Sequence, residues 1–366
     1  MKIAEIVHKI QPISKQWVEQ ARERTTQLAI PPRALGRLHD ISERLCGISR
    51  TLSPEVNRRA ILVMAGDHGV VAEGVSAFPQ EVTGEMVKNF IRGGAGINAL
   101  ARCARADVIV VDMGIIPDVD LSSLEEGDRF RLCKVGRGTA NLARGQAMTH
   151  EQAEMAILTG FQLASELFLK GIQLIGTGDM GIGNTTPSAA IGVALTGSSV
   201  EEMVGRGTGI DDESLMKKRS VIQQAMTINR PDPSDGLDVL AKVGGFEIGG
   251  IAGCILAGAY HRRPVVIDGF ISTAGALVAQ ALCPAVVDYL FAGHCSEETG
   301  HRIMLKHLGL EPILDLRMRL GEGTGGALAM GVIEGAVRIF KEVLTFEEAG
   351  VSNSSSTSNG LDQMSH

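Results

Sequence analysis

Aromatic residues are scarce in this chain of 366 residues, which contains one Trp and two Tyr and has an aromatic content of 4%. It also lacks an excess of positive charge, because 42 acidic residues outnumber 35 Lys and Arg and give a formal net charge of −7. Nucleic-acid binding usually needs a basic surface, and single strands also need aromatic side chains for stacking. The composition therefore argues against DNA or RNA as a partner.

Closely spaced cysteines are missing as well. The six cysteines are scattered between positions 46 and 295, and no two of them form a CxxC pair. A disulfide framework or a structural zinc site would require tighter spacing. We therefore expect reduced thiols, no metal site and a cytoplasmic protein.

Segments with the character of a signal peptide or a membrane span are absent too. The first twenty residues carry charges throughout and contain no apolar h-region. The longest uncharged stretch, residues 269–287, contains Gln280 and Pro284 and is rich in Gly, Ala and Ser. This composition favours a buried strand and helix, so we expect no contact with a membrane.

Glycine, in contrast, is abundant, with 45 residues and no collagen-like period. From Ala60 onward, short apolar runs that end near glycine alternate with longer helical patterns such as 150–169 and 272–282. The runs lie at 60–66, 106–114, 172–178 and 263–269. Their β-branched, nearly continuous apolar character is typical of parallel strands that are covered on both faces. The pattern predicts an α/β fold with a doubly wound parallel sheet flanked by helices.

The third run continues into a glycine-rich loop, GTGDMGIGNTTPSAA, at 176–190. Backbone amides and hydroxyl groups ahead of a helix are suited to binding an anion such as phosphate. A tight strand-to-helix turn with a threonine cap would have the same pattern. The loop is neither a Walker A sequence nor a GxGxxG fingerprint.

A second loop of this type, VGRGTGIDDE, occupies residues 204–213 and precedes a helix that contains Lys217. Arg206 can supply charge and Thr208 a hydroxyl group, while Asp211 or Asp212 is suited to cap the helix. The segment could be a loop and cap only. Two such loops within about 30 residues nevertheless favour a phosphorylated ligand.

A third segment, LGEGTGGALAM at 320–330, places Glu322 between two glycines immediately before a helix. The flanking glycines allow a ligand to approach closely, and Leu320 can partly desolvate the carboxylate. Desolvation raises the pKa of a carboxyl group towards the value that a general base needs. The alternative is a carboxylate that only caps the helix.

Two further segments contain residues capable of chemistry. After the first run, Phe78 and Gln80 offer a flat apolar wall and one amide for a planar ligand, while Asp67-His68 is more typical of a hydrogen-bonded turn than of a metal site. Later in the chain, His294 and His301 favour structural or pocket-lining roles.

Seven segments, in this order, resemble one enzyme family. They lie at 66–69, 74–83, 180–190, 205–213, 268–277, 294–301 and 321–329. Together they are similar to nicotinate-nucleotide–dimethylbenzimidazole phosphoribosyltransferases, which make the lower-ligand nucleotide of cobalamin, over residues 31–340. The chain departs from the family pattern at Arg33-Ala34, where Gly-Ser is usual, and at Asp179, where Glu is usual.

The resemblance implies a function and a site. It implies transfer of the phosphoribosyl group of nicotinate mononucleotide to 5,6-dimethylbenzimidazole with inversion, which yields α-ribazole 5′-phosphate and nicotinate without a cofactor. The implied catalytic residue is Glu322. The predicted substrate-binding residues are Phe78, Gln80, Gly176, Gly178, Asp179, Met180, Gly181, Gly183, Asn184, Thr185, Arg206, Gly207, Thr208, Gly209, Lys217 and Leu320.

The resemblance also implies a homodimer and a Rossmann-like sheet joined by a small helical domain built from both chain ends. We accordingly expect a helical segment at 1–58, the α/β domain at 59–320, a C-terminal helix at 321–346 and a disordered tail at 350–366. Two other functions remain open: an NAD-dependent dehydrogenase on the same type of sheet, and a non-catalytic nucleotide-binding protein. The missing GxGxxG after the first strand counts against the dehydrogenase.

Overall fold

The computed structural model describes residues 2–119, 129–205 and 211–352. Within these ranges the strands are β1 (Arg59–Gly66), β2 (Ala106–Gly114), β3 (Phe130–Leu132), β4 (Leu174–Met180), β5 (Val265–Ile267) and β6 (Leu290–Ala292). The helices are α1 (Ile3–Lys9), α2 (Lys15–Gln27), α3 (Arg37–Ser49), α4 (Val82–Arg92), α5 (Gly96–Ala104), α6 (His150–Leu169), α7 (Thr185–Thr196), α8 (Val200–Met203), α9 (Asp212–Asn229), α10 (Gly236–Val243), α11 (Phe246–Tyr260), α12 (Phe270–Leu282), α13 (His301–Leu308), α14 (Thr324–Glu342) and α15 (Phe346–Ala349). Short 3₁₀ helices span Gly69–Glu73 and Pro284–Tyr289.

The six strands form one sheet in the order β3-β2-β1-β4-β5-β6, and every pair is parallel. Ile61 in the middle of β1 lies opposite Val108 of β2 on one side and Gly176 of β4 on the other. All eight residues of β1 are buried. The predicted α/β fold with a doubly wound parallel sheet is confirmed.

The strand order reverses between β1 and β4. From β1 the chain continues outward to β2 and β3, and it then returns to place β4 on the other side of β1. In an open α/β sheet, ligands bind beyond the carboxyl ends of the strands at such a reversal. The topology therefore directs attention to the residues that follow β1 and β4.

Four of the six strands coincide with the apolar runs in the sequence, namely β1, β2, β4 and β5. The strands β3 and β6, of three residues each, were not predicted. The strand β5 is equally short but lies within the run at 263–269. The predicted helix at 150–169 is α6, whereas α12 begins two residues before the predicted start at 272.

Small residues bring α6 and α11 into close contact. A Cβ atom added to Gly160 would lie 1.9 Å from the Gly250 carbonyl oxygen, and one added to Gly253 would lie 2.0 Å from the Ile157 carbonyl oxygen. The helix α11 also packs against β1, β2 and β4. This packing fixes the first turn of α11, and with it Glu247, at the carboxyl end of the sheet.

The chain divides into two compact units. The first contains the described residues of 1–12 and 57–331, and the second contains those of 13–56 and 332–352. The sequence analysis instead placed its divisions at 58/59 and 320/321. The helix α1 belongs to the first unit because it packs against α11, and its Ile3 and Ile6 side chains are buried.

In the second unit, α2 packs against α3, and Ala21, Cys46 and Phe340 form a buried apolar cluster. Most of the predicted tail, residues 353–366, lies outside the described residues. Over the described ranges, no helix combines the length and apolar character needed to cross a membrane.

Candidate active site

Acidic and imidazole side chains collect at the carboxyl end of the sheet. Asp67 and His68 follow β1, Asp268 follows β5, and His294 lies two residues beyond β6. All four side chains are buried. Because the strands are parallel, their carboxyl ends share one edge, and the loops after them converge there.

Glu322 lies in a strained turn at this edge. Its φ is +63°, between Gly321 at +81° and Gly323 at +91°. A residue other than glycine is disfavoured in the left-handed region, and such strain concentrates at functional sites. The backbone of Gly178 in β4 abuts the turn, since an added Cβ there would lie 2.4 Å from the Glu322 carbonyl oxygen.

The Glu322 carboxylate is 6% exposed and accepts a hydrogen bond of 3.0 Å from the Ile97 amide at the start of α5. Burial raises the pKa of Glu322, and the charge of Asp268 adds to that shift, while the Ile97 amide opposes it. A carboxylate with a raised pKa and one open oxygen is suited to accept a proton near neutral pH.

Asp179 borders the same turn. A Cβ on Gly321 would lie 3.3 Å from Asp179 Oδ2, and that oxygen accepts a hydrogen bond of 2.9 Å from Asn184 Nδ2. The other oxygen, Oδ1, is buried and has no hydrogen-bond partner among the described residues. Burial raises the pKa of Asp179 to about 8, and the neighbouring Asp268 carboxylate contributes to the increase. At neutral pH the neutral acid therefore dominates, so Asp179 can donate as well as accept.

The loop after β4 leads into α7, which begins at Thr185. The N-terminus of a helix carries a partial positive charge that favours an anion. In α7 the Thr186 amide already donates a hydrogen bond of 3.0 Å to the Gly183 carbonyl oxygen, and Pro187 has no N–H group. Beside them, Lys218 Nζ donates a hydrogen bond of 2.8 Å to Thr185 Oγ1. Burial lowers the pKa of Lys218 to about 8, and its side chain is almost wholly enclosed. The arrangement provides one cation, one hydroxyl group and a helix terminus around one point.

The adjacent lysine differs. The sequence analysis selected Lys217, but its side chain is exposed and its Nζ lies next to Gly74. A helix turns by about 100° per residue, so consecutive lysines point in different directions. The structure therefore places Lys218, and not Lys217, at Thr185.

The remaining predicted residues are distributed as follows. Gly176, Gly178 and Met180 belong to β4, and Gly181 and Gly183 precede α7. Leu320 is 60% exposed, and its side chain adjoins Gly96 together with the Glu322 carboxylate. Arg206, Gly207, Thr208 and Gly209 lie outside the described residues.

Gln80 lines a cavity of about 380 Å³ together with Asp67, Gly84, Lys88, Ile116 and Pro117. Its side-chain amide donates a hydrogen bond of 3.3 Å to the His68 carbonyl oxygen. The volume falls in the range of small-ligand sites. Phe78 does not line this cavity, and its side chain is 48% exposed.

His301 has a structural environment. The Ser296 amide donates to its Nδ1 at 2.8 Å, so the proton is on Nε2, which lies 2.9 Å from Thr273 Oγ1. Burial lowers the pKa of His301 to about 3, in keeping with this neutral tautomer. Among the described residues, no three His, Cys, Asp or Glu side chains form a group that could hold a metal ion.

Comparison with known proteins identifies the family. A family model for phosphoribosyltransferases matches residues 10–351. The nicotinate-nucleotide–dimethylbenzimidazole phosphoribosyltransferase of Geobacter sulfurreducens is 55% identical over 95% of this chain and 98% of its own length. That of Desulforamulus reducens is 54% identical over 96% of this chain and 99% of its own length. The crystal structure of CobT from Thermus thermophilus superimposes with a TM-score of 0.88 at 49% identity, over 92% of this chain and 99% of that one.

The chain belongs to the nicotinate-nucleotide–dimethylbenzimidazole phosphoribosyltransferase family. The resemblance inferred from the seven segments is thus confirmed.

Within this phosphoribosyltransferase, sequence reasoning missed three buried residues at the site: Asp268, Glu247 and Lys218. The sequence did contain a feature that points to Asp268, because the run at 263–269 ends in Asp-Gly at a strand terminus. No sequence feature points to Glu247, which follows Gly244-Gly245-Phe246 at the start of an otherwise apolar helical pattern. Its Oε1 lies 2.9 Å from His68 Nε2, and both side chains are fully buried. Burial alone would lower the pKa of His68, but the Glu247 carboxylate raises it overall.

Proposed function

We propose that this protein transfers the phosphoribosyl group of nicotinate mononucleotide to 5,6-dimethylbenzimidazole. The observation that carries the proposal is the buried Glu322 carboxylate, held in a strained turn against β4 at the point where the strand order reverses. The near full-length similarity to relatives that bear this enzyme's name supports the same reaction.

Lys218, Thr185 and the first turn of α7 are proposed to bind the 5′-phosphate. A phosphate there would lie at the positive end of the α7 dipole and would favour the charged form of Lys218. Phosphate binding at this point fixes the ribose C1′ relative to Glu322, which is catalysis by orientation. The segment at 206–209 is proposed to contribute further contacts to the nucleotide.

The chemistry requires a proton acceptor and little else from the protein. Nicotinate mononucleotide carries a cationic pyridinium on C1′, so the C1′–N bond breaks with departure of neutral-ring nicotinate. One benzimidazole nitrogen attacks C1′ from the opposite face, which inverts the configuration from β to α. The other ring nitrogen then becomes acidic, and Glu322 accepts its proton. The products are α-ribazole 5′-phosphate, nicotinate and one proton.

The benzimidazole is proposed to lie between Glu322 and Asp179, with Leu320 against its apolar edge. Gln80 and the cavity beside it are the second candidate surface for its ring. Contact between apolar surfaces, such as that of Leu320, distinguishes poorly between ligands that differ by one methyl group, because each methyl contributes about 1–3 kcal/mol. Purines should bind less well, since their additional ring nitrogens would be buried without partners.

The reaction is tested by incubating the protein with nicotinate mononucleotide and an equimolar mixture of 5,6-dimethylbenzimidazole, benzimidazole and adenine. We expect nicotinate release, benzimidazole nucleotides in excess of the adenine nucleotide, and an α-anomeric C1′ proton in the NMR spectrum. Binding of both substrates without nicotinate release would indicate a non-catalytic nucleotide-binding protein. Reduction of NAD with a hydroxy-acid substrate would indicate a dehydrogenase.

The same proposal includes a cytoplasmic homodimer with a small helical domain formed by segments from both chain ends. Several large apolar side chains are exposed on the first unit, including Leu316 and Leu320 at 57% and 60%. Burial of such residues favours association. Sedimentation equilibrium should yield twice the mass of the chain, and a single-chain mass at micromolar concentration would contradict the dimer.

A further inference from the structure

Asp268 connects β5 to the turn that carries Glu322. Its Oδ2 accepts a hydrogen bond of 3.1 Å from the Gly323 amide, and its Oδ1 accepts one of 2.9 Å from the Gly326 amide. The side chain is fully buried. One carboxylate, distant in sequence, therefore binds both the residue that follows Glu322 and the first turn of α14.

The turn needs such a restraint. Three consecutive residues, 321–323, have positive φ, and the central one is not glycine. A non-glycine residue in the left-handed region costs of order 1–3 kcal/mol and persists only where the surroundings fix it. Gly178 restrains the turn on the side of β4, and Asp268 restrains it through the Gly323 amide.

His294 supports the carboxylate. Its Nε2 lies 3.7 Å from Asp268 Oδ1, and both side chains are buried. Two glycines pack against the ring, since a Cβ on Gly325 would lie 2.0 Å from Cδ2 and one on Gly269 would lie 3.2 Å from Nε2. Larger residues at these positions would displace the imidazole from Asp268.

The groups around Glu322 make Asp268 electrostatically important. Asp179 approaches from the end of β4, Asp268 from β5 and His294 from β6, while α5 contributes the Ile97 amide. Burial is the largest cause of the raised pKa of Glu322, and Asp268 is the acidic neighbour that adds to it. Burial raises the pKa of Asp268 itself, whereas His294 and the glycine amides favour its charged form.

We propose that Asp268, supported by His294, is a positioning residue for Glu322: it holds the strained turn in place and supplies the negative charge that keeps Glu322 a competent proton acceptor. This inference rests on the proposed function, in which Glu322 takes the proton from the benzimidazole. It adds two residues that act through Glu322.

The test is Asp268→Asn, measured as kcat and KM against pH. The amide removes the charge and can accept from only one of the two glycine amides. We expect kcat to fall by about 10- to 100-fold, KM for nicotinate mononucleotide to stay within about threefold, and the acidic limb of the kcat profile to move to lower pH. The shift has this sign because loss of a neighbouring anion lowers the pKa of Glu322.

Two further variants separate positioning from general stability. Asp235 is a helix cap that also accepts two backbone hydrogen bonds, from the Leu237 amide at 2.9 Å and the Asp238 amide at 3.2 Å. Asp235→Asn removes a charge there and should leave the pH profile of kcat unchanged. Adding Asp268→Asn to Glu322→Gln should not slow the reaction further, because Asp268 acts through Glu322.

The outcomes distinguish the two proposals. If Glu322→Gln keeps its turnover, the proposed function of Glu322 fails. If Glu322→Gln is inactive but Asp268→Asn keeps the wild-type kcat and acidic limb, only the present inference is overturned. Should Asp268→Asn fail to fold, His294→Asn leaves both amide bonds in place and should produce a smaller shift of the same sign. An unchanged profile in that variant would also overturn the inference.

Discussion

At the scale of single residues, the site depends on buried carboxyl groups. Burial raises the pKa of both Asp179 and Glu322, and the Asp268 carboxylate adds to both shifts. Divergent pKa values of neighbouring acids are a means by which one site obtains both a donor and an acceptor. In the proposed reaction Asp179, whose pKa burial raises to about 8, is the neutral partner and Glu322 is the proton acceptor.

We predict that Glu322→Gln lowers kcat by about 10² to 10⁴ while both substrates still bind, because the amide cannot accept the proton. Turnover measured by nicotinate release, together with calorimetric binding of nicotinate mononucleotide, checks this. The amide still offers an oxygen to the Ile97 N–H group, so the fold should be kept. Near-normal turnover would reduce Glu322 to a helix-capping residue.

The two adjacent lysines provide a matched pair. Lys218→Met should raise KM for nicotinate mononucleotide by about 10- to 100-fold, since a charged hydrogen bond to phosphate contributes about 1.5–3 kcal/mol. Lys217→Met should change KM by less than about threefold, because its ammonium group lies next to Gly74 and not next to Thr185. The riboside, which lacks phosphate, should not distinguish the two variants. The reverse order of effects would restore Lys217 as the phosphate ligand.

This pair shows what a sequence cannot resolve at the residue scale. Both lysines follow the same glycine-rich loop, and nothing in the sequence indicates which of them contacts the ligand. Their roles depend on the rotation of α9 relative to α7, which packing between the two helices fixes. Glu322 could be selected from the sequence because glycines flank it. The turn requires those glycines because residues 321–323 all have positive φ.

At the scale of elements, β4 and the turn at 321–323 pack directly against each other. Gly178 in β4 has no room for a side chain, because the Glu322 carbonyl group occupies that space. Gly178 was predicted as a ligand contact at the end of the run 172–178, and the structure places it within β4. It contacts the turn at 321–323, far later in the chain, and no local sequence pattern predicts such a contact.

We predict that Gly178→Ala lowers kcat by about 100-fold. The new Cβ would lie 2.4 Å from backbone, against 3.4 Å for ordinary contact, so the turn must move by about 1 Å. A displacement of that size at a reacting group costs about 10²-fold in rate. Steady-state kinetics measures the loss of kcat, and thermal unfolding measures any loss of stability.

Gly331→Ala is the matched control for that prediction. Gly331 is exposed in α14 and has no atom within 4 Å of the added Cβ. Alanine is favoured over glycine in a helix by about 0.5–1 kcal/mol, so this variant should be slightly more stable and fully active. Equal kinetics in both variants would show that the turn tolerates movement.

At the scale of the whole molecule, most of the sheet was predictable because β1, β2 and β4 are long, largely buried strands that appear as continuous apolar runs. The edge strands β3 and β6, of three residues each, were not predicted. The limits of the two compact units depend on packing: α1 belongs to the first unit, and its Ile3 and Ile6 side chains are buried.

The concentration of buried acids has a consequence for the stability of the protein without substrates. The native pKa of Asp179 is about 8, above its ordinary value of 3.8. The folded chain therefore binds this proton more tightly than the unfolded chain does between those two values. The stabilisation is complete below about pH 4 and is lost as the pH rises through 8. Burial raises the pKa of Glu322, Asp268, Asp67 and Asp112 in the same direction.

We predict that Asp179→Asn removes part of this pH dependence. The amide oxygen can still accept from Asn184, and an uncharged group avoids the cost of ionising a buried acid at high pH. The Tm of the variant relative to wild type should therefore increase steadily between pH 5 and pH 9, measured by thermal unfolding without substrates. Asp235→Asn, at an exposed helix cap, should give a difference that does not vary with pH. If the Asp179→Asn and wild-type curves run parallel, Asp179 is ionised in the native protein at neutral pH. In that case it would bind the benzimidazole as an anion and not as a neutral acid.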